Sequence, residues 1–370
     1  MLQKILVAAM GVLSATLLYA QTASLHVDTS GTITAAEQEK QEPSLIINGS
    51  LDAYYKYDFA KTPLNSLTSF TQSHNSFSLG MASIKLEHRG SKITAVADLG
   101  FGPRAKDFSY TDEGITRAIK QLFISYSPLE WLKFTAGTWA THVGYELIDP
   151  QLNRNYSMSY MFTNGPFSHT GLKAEVTSGK HSAMIGVANA TDYRIPPGGF
   201  INKKFILAQY ALAATENLKL YLNFVSGQNP DTSKVSQLDA VITAKVNDKF
   251  SLGYNGTASS VKTWDGVKSL DNNYWWGSAL YINLDPTPWF GITLRGEYFS
   301  DKKQLKPFAT ATEGGNIFAT TLSANFKSGG FIFIPELRLD QAGKEVLFID
   351  KSGAYTKSAV SLLFAAIYSF

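Results

Sequence analysis

The sequence predicts an all-β chain: a transmembrane antiparallel β-barrel of about sixteen strands, with short periplasmic turns and longer extracellular loops. Three observations carry this. Apolar and polar residues alternate with period two from Leu45 to the last residue, the pattern of strands with one greasy and one polar face. The connections alternate in length along the chain, as in barrels that keep turns on one side of a membrane and loops on the other. The only long apolar run is a leader at the start. Nothing after it reaches the roughly 20 residues that a spanning helix needs.

Composition agrees. The chain has 370 residues, a formal net charge of +3, 44% hydrophobic and 13% aromatic residues, and no cysteine. Charged residues are 17%, against about 25% in ordinary soluble domains. The apolar fraction excludes a disordered chain. The absence of cysteine excludes disulfide scaffolds and zinc fingers. The near-neutral charge gives no footprint for nucleic acid.

Residues 1–20 read as an export signal that is removed. Lys4 supplies the positive start, residues 5–19 are apolar, and Ala20 stands before Gln21 at a cleavage point. No cysteine follows, so a lipid-anchored start is excluded. Residues 21–44 are a polar periplasmic lead carrying Glu37, Glu39, Lys40 and Glu42. Residues 45–370 are the barrel. Its strand-like segments lie near 46–59, 76–88, 91–101, 115–127, 132–140, 167–177, 181–190, 204–215, 217–226, 234–246, 249–260, 273–284, 289–300, 315–327, 331–342 and 354–370.

The alternation is clearest in four places. Leu218, Leu220, Leu222 and Phe224 are separated by Lys219, Tyr221 and Asn223. Leu238, Ala240 and Ile242 are separated by Asp239 and Val241. Phe290, Ile292 and Leu294 alternate with Gly291, Thr293 and Arg295. Phe331, Phe333, Leu337 and Leu339 oppose Glu336, Arg338 and Asp340. Outer-membrane lipid is the expected solvent of the greasy face, because a closed barrel pairs every backbone group without water. The pattern slips at Ser83–Ile84, where a bulge is expected. Pro335 should cost a bulge or a missing ladder bond.

Even-numbered segments end in tight turns such as Arg89–Gly90, Ser178–Gly179 and Asn247–Asp248. Odd-numbered ones end in the longer stretches 60–75, 102–114, 141–166, 191–203, 260–272 and 301–314. Tyr55, Tyr57 and Phe59 would mark the outer membrane interface. Trp131, Trp289 and Phe290 would mark the inner one. At the C-terminus Leu362, Phe364, Ala366, Tyr368 and Phe370 alternate. The terminal Phe370, with Tyr368 two residues before it, resembles the signal read by the barrel assembly machinery.

A family resemblance enters at residues 98–173. DLGFGP at 98–103, THVGYELIDP at 141–150 and NYSMSYMFTNGPFSHTGLK at 155–173 look like the OmpL-like porin family, also called β-barrel porin type 2. The resemblance implies an outer-membrane porin-like barrel. It carries over no substrate and no catalytic or binding residue.

The polar face assigns Lys92, Asp98, Lys120, Lys133, Lys173, Glu175, Lys219, Asp239, Lys245, Arg295, Glu297, Glu336, Arg338 and Asp340 to a lumen. Both signs are present, as in a water-filled and weakly selective pore. About sixteen strands is the size at which a barrel leaves an aqueous channel. The expected function is passive diffusion of small polar solutes. General porins of sixteen strands are commonly trimers, which leaves a homotrimer open.

The longest loop, 141–166, carries Glu146, Asp149, Arg154, Tyr156 and Tyr160. In sixteen-stranded general porins the loop after the fifth strand folds into the lumen. By that similarity these residues would form a constriction. Two other functions fit the same chain. One is a plugged barrel serving as a structural or adhesion protein. The other is a barrel hydrolase using His142, Asp149, Ser157 and His169. The second lacks a Gly-x-Ser-x-Gly elbow. Nothing in the sequence forms a metal-ligand set or a phosphate-cradling loop, so no cofactor is expected.

Overall fold

The computed structural model describes residues 44–198, 202–264 and 269–370. The leader at 1–20 and all of the polar lead except Ser44 lie outside the described residues.

Period-two alternation becomes strand at every segment. The elements are β1 (Ser44–Asp58), β2 (Ser76–Arg89), β3 (Ile93–Phe101), α1 (Pro103–Phe108), β4 (Ile119–Leu129), β5 (Leu132–Ala140), α2 (Tyr160–Asn164), β6 (Ser168–Ser178), β7 (His181–Ala188), β8 (Phe205–Ala213) and β9 (Leu218–Gln228). There follow β10 (Lys234–Lys245), β11 (Phe250–Trp264), β12 (Ser269–Thr287), β13 (Phe290–Asp301), β14 (Gly315–Ser328), β15 (Phe331–Ala342), β16 (Phe348–Ile349), β17 (Tyr355–Thr356) and β18 (Ser358–Ser369). Sixteen of these strands close into one antiparallel barrel, with β1 bonded to both β2 and β18. The short β16 and β17 pair only with each other, in the last loop. Closure removes the edge that an open sheet would present.

The pleat sends Leu222, Leu238 and Ile185 outward, each more than half exposed, while Asn223, Asp239 and Glu297 turn inward and are buried. Aromatic side chains form a row near the short-turn end. Phe290 packs on Phe326, Phe326 on Phe333 and Phe333 on Phe364, and Trp289 flanks Phe290. Such a row across neighbouring strands is an interface girdle. Inward positions are not uniformly polar. Ile334, Leu363, Ala365 and Ile367 face the interior and pack with Tyr54 and Tyr156.

The structure corrects the sequence reading in four places. The bulge lies at Gly80–Met81, three residues before the slip in alternation: Leu51 pairs with Ala82 and Ala53 with Leu79. The reason is Asp52, whose carboxylate accepts from Met81 N–H at 2.9 Å and fills the space beside Gly80. Residues 115–118 belong to a 3-10 turn (Gly114–Ala118), so β4 starts at Ile119. Within the stretch 260–272, residues up to Trp264 and from Ser269 onward are strand, because β11 and β12 continue pairing there; residues 265–268 lie outside the described residues. Residues 354–357 precede β18, and Tyr355 and Thr356 are drawn instead to Phe348 and Ile349.

Pro335 leaves a gap without a bulge. Ser323 pairs with Glu336 and Phe326 with Phe333 in unchanged register, and no pair forms between them. On its other side Pro335 pairs normally with Phe364. The missing N–H thus costs only local ladder on β14.

Candidate functional site in the barrel interior

Between β5 and β6 the chain leaves the wall and crosses the interior. Backbone taken away from both water and a ladder must find other partners. The inward side chains of the wall supply them. Gly144 N–H donates to Asp239 at 3.0 Å. Tyr156 N–H donates to Glu336 at 2.8 Å, and Ser157 N–H to the same carboxylate at 3.2 Å. Tyr160 and Met161 N–H donate to the two oxygens of Glu297, at 2.9 and 2.8 Å. A carboxylate has the lone pairs to hold two adjacent N–H groups.

Carbonyls and acids of the segment meet the cations of the wall. Arg295 pairs with Glu146 and donates to Ser157 O at 2.8 Å. Arg338 donates to Met158 O at 2.7 Å and pairs with Asp340 at 2.9 Å. Lys120 bridges Asp98 and Asp149. Arg154 forms a two-bond pair with Asp285 at the short-turn end, so the segment runs the depth of the barrel. Tyr156 Oη donates to Asp52 and Tyr160 Oη to Asp340. Buried charges persist only when paired and hydrogen-bonded, and these are.

Packing completes the fit. The hydroxyl of Ser159 caps α2 by accepting from Phe162 N–H at 3.0 Å. Tyr145 stacks on Tyr281 with centroids 4.1 Å apart. Met161 sits against Gly277, where a Cβ would lie 2.5 Å from its side chain. Tyr156, Met158 and Tyr160 have no exposed surface. Residues of the proposed constriction, Glu146, Asp149, Arg154, Tyr156 and Tyr160, are therefore all inside, each on a different part of the wall.

The expected lumen residues divide into two sets. Asp98, Lys120, Arg295, Glu297, Glu336, Arg338 and Asp340 lie beneath the crossing segment and are buried, as is Asp239. Lys133, Lys173 and Glu175 stay partly solvated on β5 and β6. Lys245 sits at the short-turn end and pairs with exposed Asp248. Lys219 is half-buried near the start of β9. Lys92 is a correction: it lies exposed in the turn before β3, because β3 starts at Ile93 and leaves Lys92 no inward position.

Three important residues were not singled out in the sequence. Asp52 follows the parity Ser50, Asp52, Tyr54, Lys56, Asp58, and could have been read from it. Arg104 had no such signal. It sits on α1, folded inward over the rings of Phe70 and Tyr156 at 4.8 and 4.7 Å. Asp285 lies at a strand end and gains its role from Arg154 and Lys327.

The hydrolase residues do not assemble. Ser157 Oγ is a partner of Arg338, and Asp149 is paired with Lys120. His169 bonds Thr141, while His142 bonds the Phe224 carbonyl. The two imidazoles neighbour each other, with centroids 5.3 Å apart. Among the described residues no group of three or more metal-ligating side chains converges.

At the short-turn end of the interior, carboxylates are flanked by cations in pairs. Glu87 lies between Lys85 and Arg89. Glu175 lies between Lys133 and Lys173. Asp285 lies between Arg154 and Lys327.

Solved structures share this architecture. An anion-selective porin from Comamonas acidovorans superposes with a TM-score of 0.58 at 11% identity, covering 89% of this chain and 100% of that one. The outer-membrane channel DcaP of Acinetobacter baumannii gives a TM-score of 0.58 at 11% identity, over 91% and 100% of the two chains. OmpT of Vibrio cholerae in its trimer form gives 0.55 at 8% identity, over 89% and 99%. No curated protein matches the sequence. A family model does, over residues 44–370: "Putative beta-barrel porin-2, OmpL-like". The chain belongs to that family, and it is an outer-membrane porin.

Proposed function

We propose that this porin is a water-filled channel for passive diffusion of small polar solutes, narrowed by residues 141–166 and favouring anions. The carrying observation is the set of carboxylates flanked by two cations each: Glu87, Glu175 and Asp285. Each cluster holds one net positive charge, and all three stand toward the periplasmic end. Charges in a confined passage with low-dielectric walls act on passing ions more strongly than in bulk water. The leader is removed on export, and the barrel assembly machinery reads Tyr368 and Phe370. A homotrimer is consistent with the trimer form of OmpT from Vibrio cholerae.

The test is single-channel recording in a planar bilayer under a salt gradient. The reversal potential should report anion preference, and Lys133→Glu with Lys173→Glu should move it toward cations. Glu146→Gln with Asp149→Asn should move it further toward anions. A cation-selective wild-type channel would overturn the preference. A second reading, a barrel plugged at rest, is favoured by the complete burial of Tyr156, Met158 and Tyr160. It requires that no conductance appear until the crossing segment is displaced.

A further inference from the structure

Above the crossing segment, at its exit toward β6, the outer mouth holds a pocket of about 260 Å3. Pockets for drug-sized ligands begin at roughly 300 Å3, so this one suits a small solute. Its wall joins the end of the crossing segment to the loops after β7, β9 and β13, with Tyr193, Gln237, Trp275 and Lys306 among its lining.

Two donors of this pocket have no acceptor among the described residues. Trp275 is 1% exposed, and its indole N–H is unpartnered. Lys306 makes no hydrogen bond or ion pair through its ammonium group; it is held above the Trp275 ring, 6.0 Å from the centroid. An unmet buried donor is costly; the Trp275 N–H is one, and half-buried Lys306 lines the same cavity.

The nearby carboxylates are held by other donors, Asp231 through one oxygen only, and none bonds the Lys306 ammonium or the Trp275 N–H. Asp192 accepts from Phe167 and Ser168 N–H and from Tyr110 Oη. Asp301 accepts from the N–H groups of Leu305, Lys306 and Phe308. Asp231 accepts from Ser233 N–H and Oγ. The ring of Trp275 is unavailable for stacking a sugar. Phe299 stacks against it at 5.3 Å, and Lys306 lies over it. The indole N–H is the one polar group of Trp275, and it is unpartnered.

We propose that this pocket is an outer-mouth binding site for a small organic carboxylate, held by the Lys306 ammonium and the Trp275 indole N–H. The inference deepens the anion preference argued above and rests on that reading. Asp192 and Asp231 also line the pocket and outnumber Lys306, so the carboxylate is held by the two donors and not by the pocket's net charge; binding is weak and release is fast, as conduction requires.

The probe is glucuronate, with glucose as its neutral counterpart, added to the outer side of a bilayer carrying the single open channel. Glucuronate should produce brief, concentration-dependent interruptions of the current, and glucose should not. Lys306→Gln should lower the blocking on-rate about tenfold, since charge acts mainly on encounter. Trp275→Phe keeps the packing on Phe299 and removes the N–H, so it should shorten the blocks several-fold. Saturation-transfer NMR of glucuronate with the full chain folded in detergent reads the same site whether or not the channel conducts. Absent conductance with retained, Lys306-dependent NMR binding sinks the channel reading and keeps the site. Equal binding of glucose, or binding unchanged in both heat-modifiable, folded variants, overturns the site.

Discussion

Gly49 and Phe370 exchange both backbone hydrogen bonds, N–H to carbonyl at 3.0 Å in each direction. The Phe370 ring lies across Gly49, 2.4 Å from where a Cβ would stand. The last residue of the chain therefore adds a final rung to the β1–β18 seam and covers the backbone beside it. Glycine is required there by close approach rather than by turn geometry.

Deleting Phe370 should remove two hydrogen bonds, about 1–3 kcal/mol in total at typical net values, together with the ring. Phe370→Ala should keep the bonds and lose only the ring. The folded, heat-modifiable fraction on gels should fall more for the deletion than for the substitution. Equal losses would assign the whole effect to the ring.

Leu222 faces outward in the middle of β9 and is more than half exposed. Leu222→Arg should destabilise the barrel by roughly 2–4 kcal/mol, the cost of arginine near a bilayer midplane. Lys219→Leu, on the inner face, should cost far less. Urea titrations in lipid vesicles measure both, and a reversal of the two effects would invert the strand parity.

Glu297 holds the crossing segment by accepting two consecutive N–H groups. Glu297→Gln turns one acceptor oxygen into a donor facing an N–H. The loss should be roughly 1–3 kcal/mol for an unsatisfied buried group. It should loosen the segment without opening the barrel. Single-channel conductance should rise and become noisier, and limited proteolysis should cut within 141–167. Tyr160→Phe, which loses only the bond to Asp340, should be milder.

Asp192, in the loop after β7, gives the outer face a pH dependence. Burial pushes its carboxyl up to about 6, although N–H groups of Ser168 and Phe167 and the Tyr110 hydroxyl pull the other way. The folded state therefore binds the proton more tightly than the unfolded chain. Its stabilising contribution is complete below the ordinary carboxyl value and is lost as pH rises through about 6. The size is on the order of 1–3 kcal/mol. Asp192→Asn presents an oxygen to the two N–H groups and an amide N–H to Tyr110. It should flatten the stability profile between about pH 4 and 6, as read by urea unfolding at each pH.

The wall was legible because its physics is local. A strand half in lipid repeats every two residues, and sixteen such segments can be read one at a time. Errors came where tertiary contacts set the end of a strand. Asp52 moved the bulge to Gly80–Met81, and Lys92 fell one residue outside β3. The interior was legible in part. Glycines at inward strand positions, Gly253 beneath Tyr145 and Gly277 beneath Met161, mark where something must approach the wall closely. The partners of Glu297 and Glu336 were not legible, since backbone N–H groups leave no mark in a sequence. The roles of Trp275 and Lys306 depend on loops far apart in the chain.

The cation-flanked carboxylates also make the pore electrically unlike at its two ends. The periplasmic half carries the net positive charge of the Glu87, Glu175 and Asp285 clusters. The outer mouth carries Lys306 among Asp192, Asp231 and Asp301. An ion moving inward and one moving outward thus meet different potentials before the narrowest point. Barrels inserted in one orientation should pass more current at one polarity than at the other. The Debye length is about 10 Å at 0.1 M salt and about 3 Å at 1 M, so the rectification should fade as salt is raised. Reversing the inserted orientation should reverse its sign.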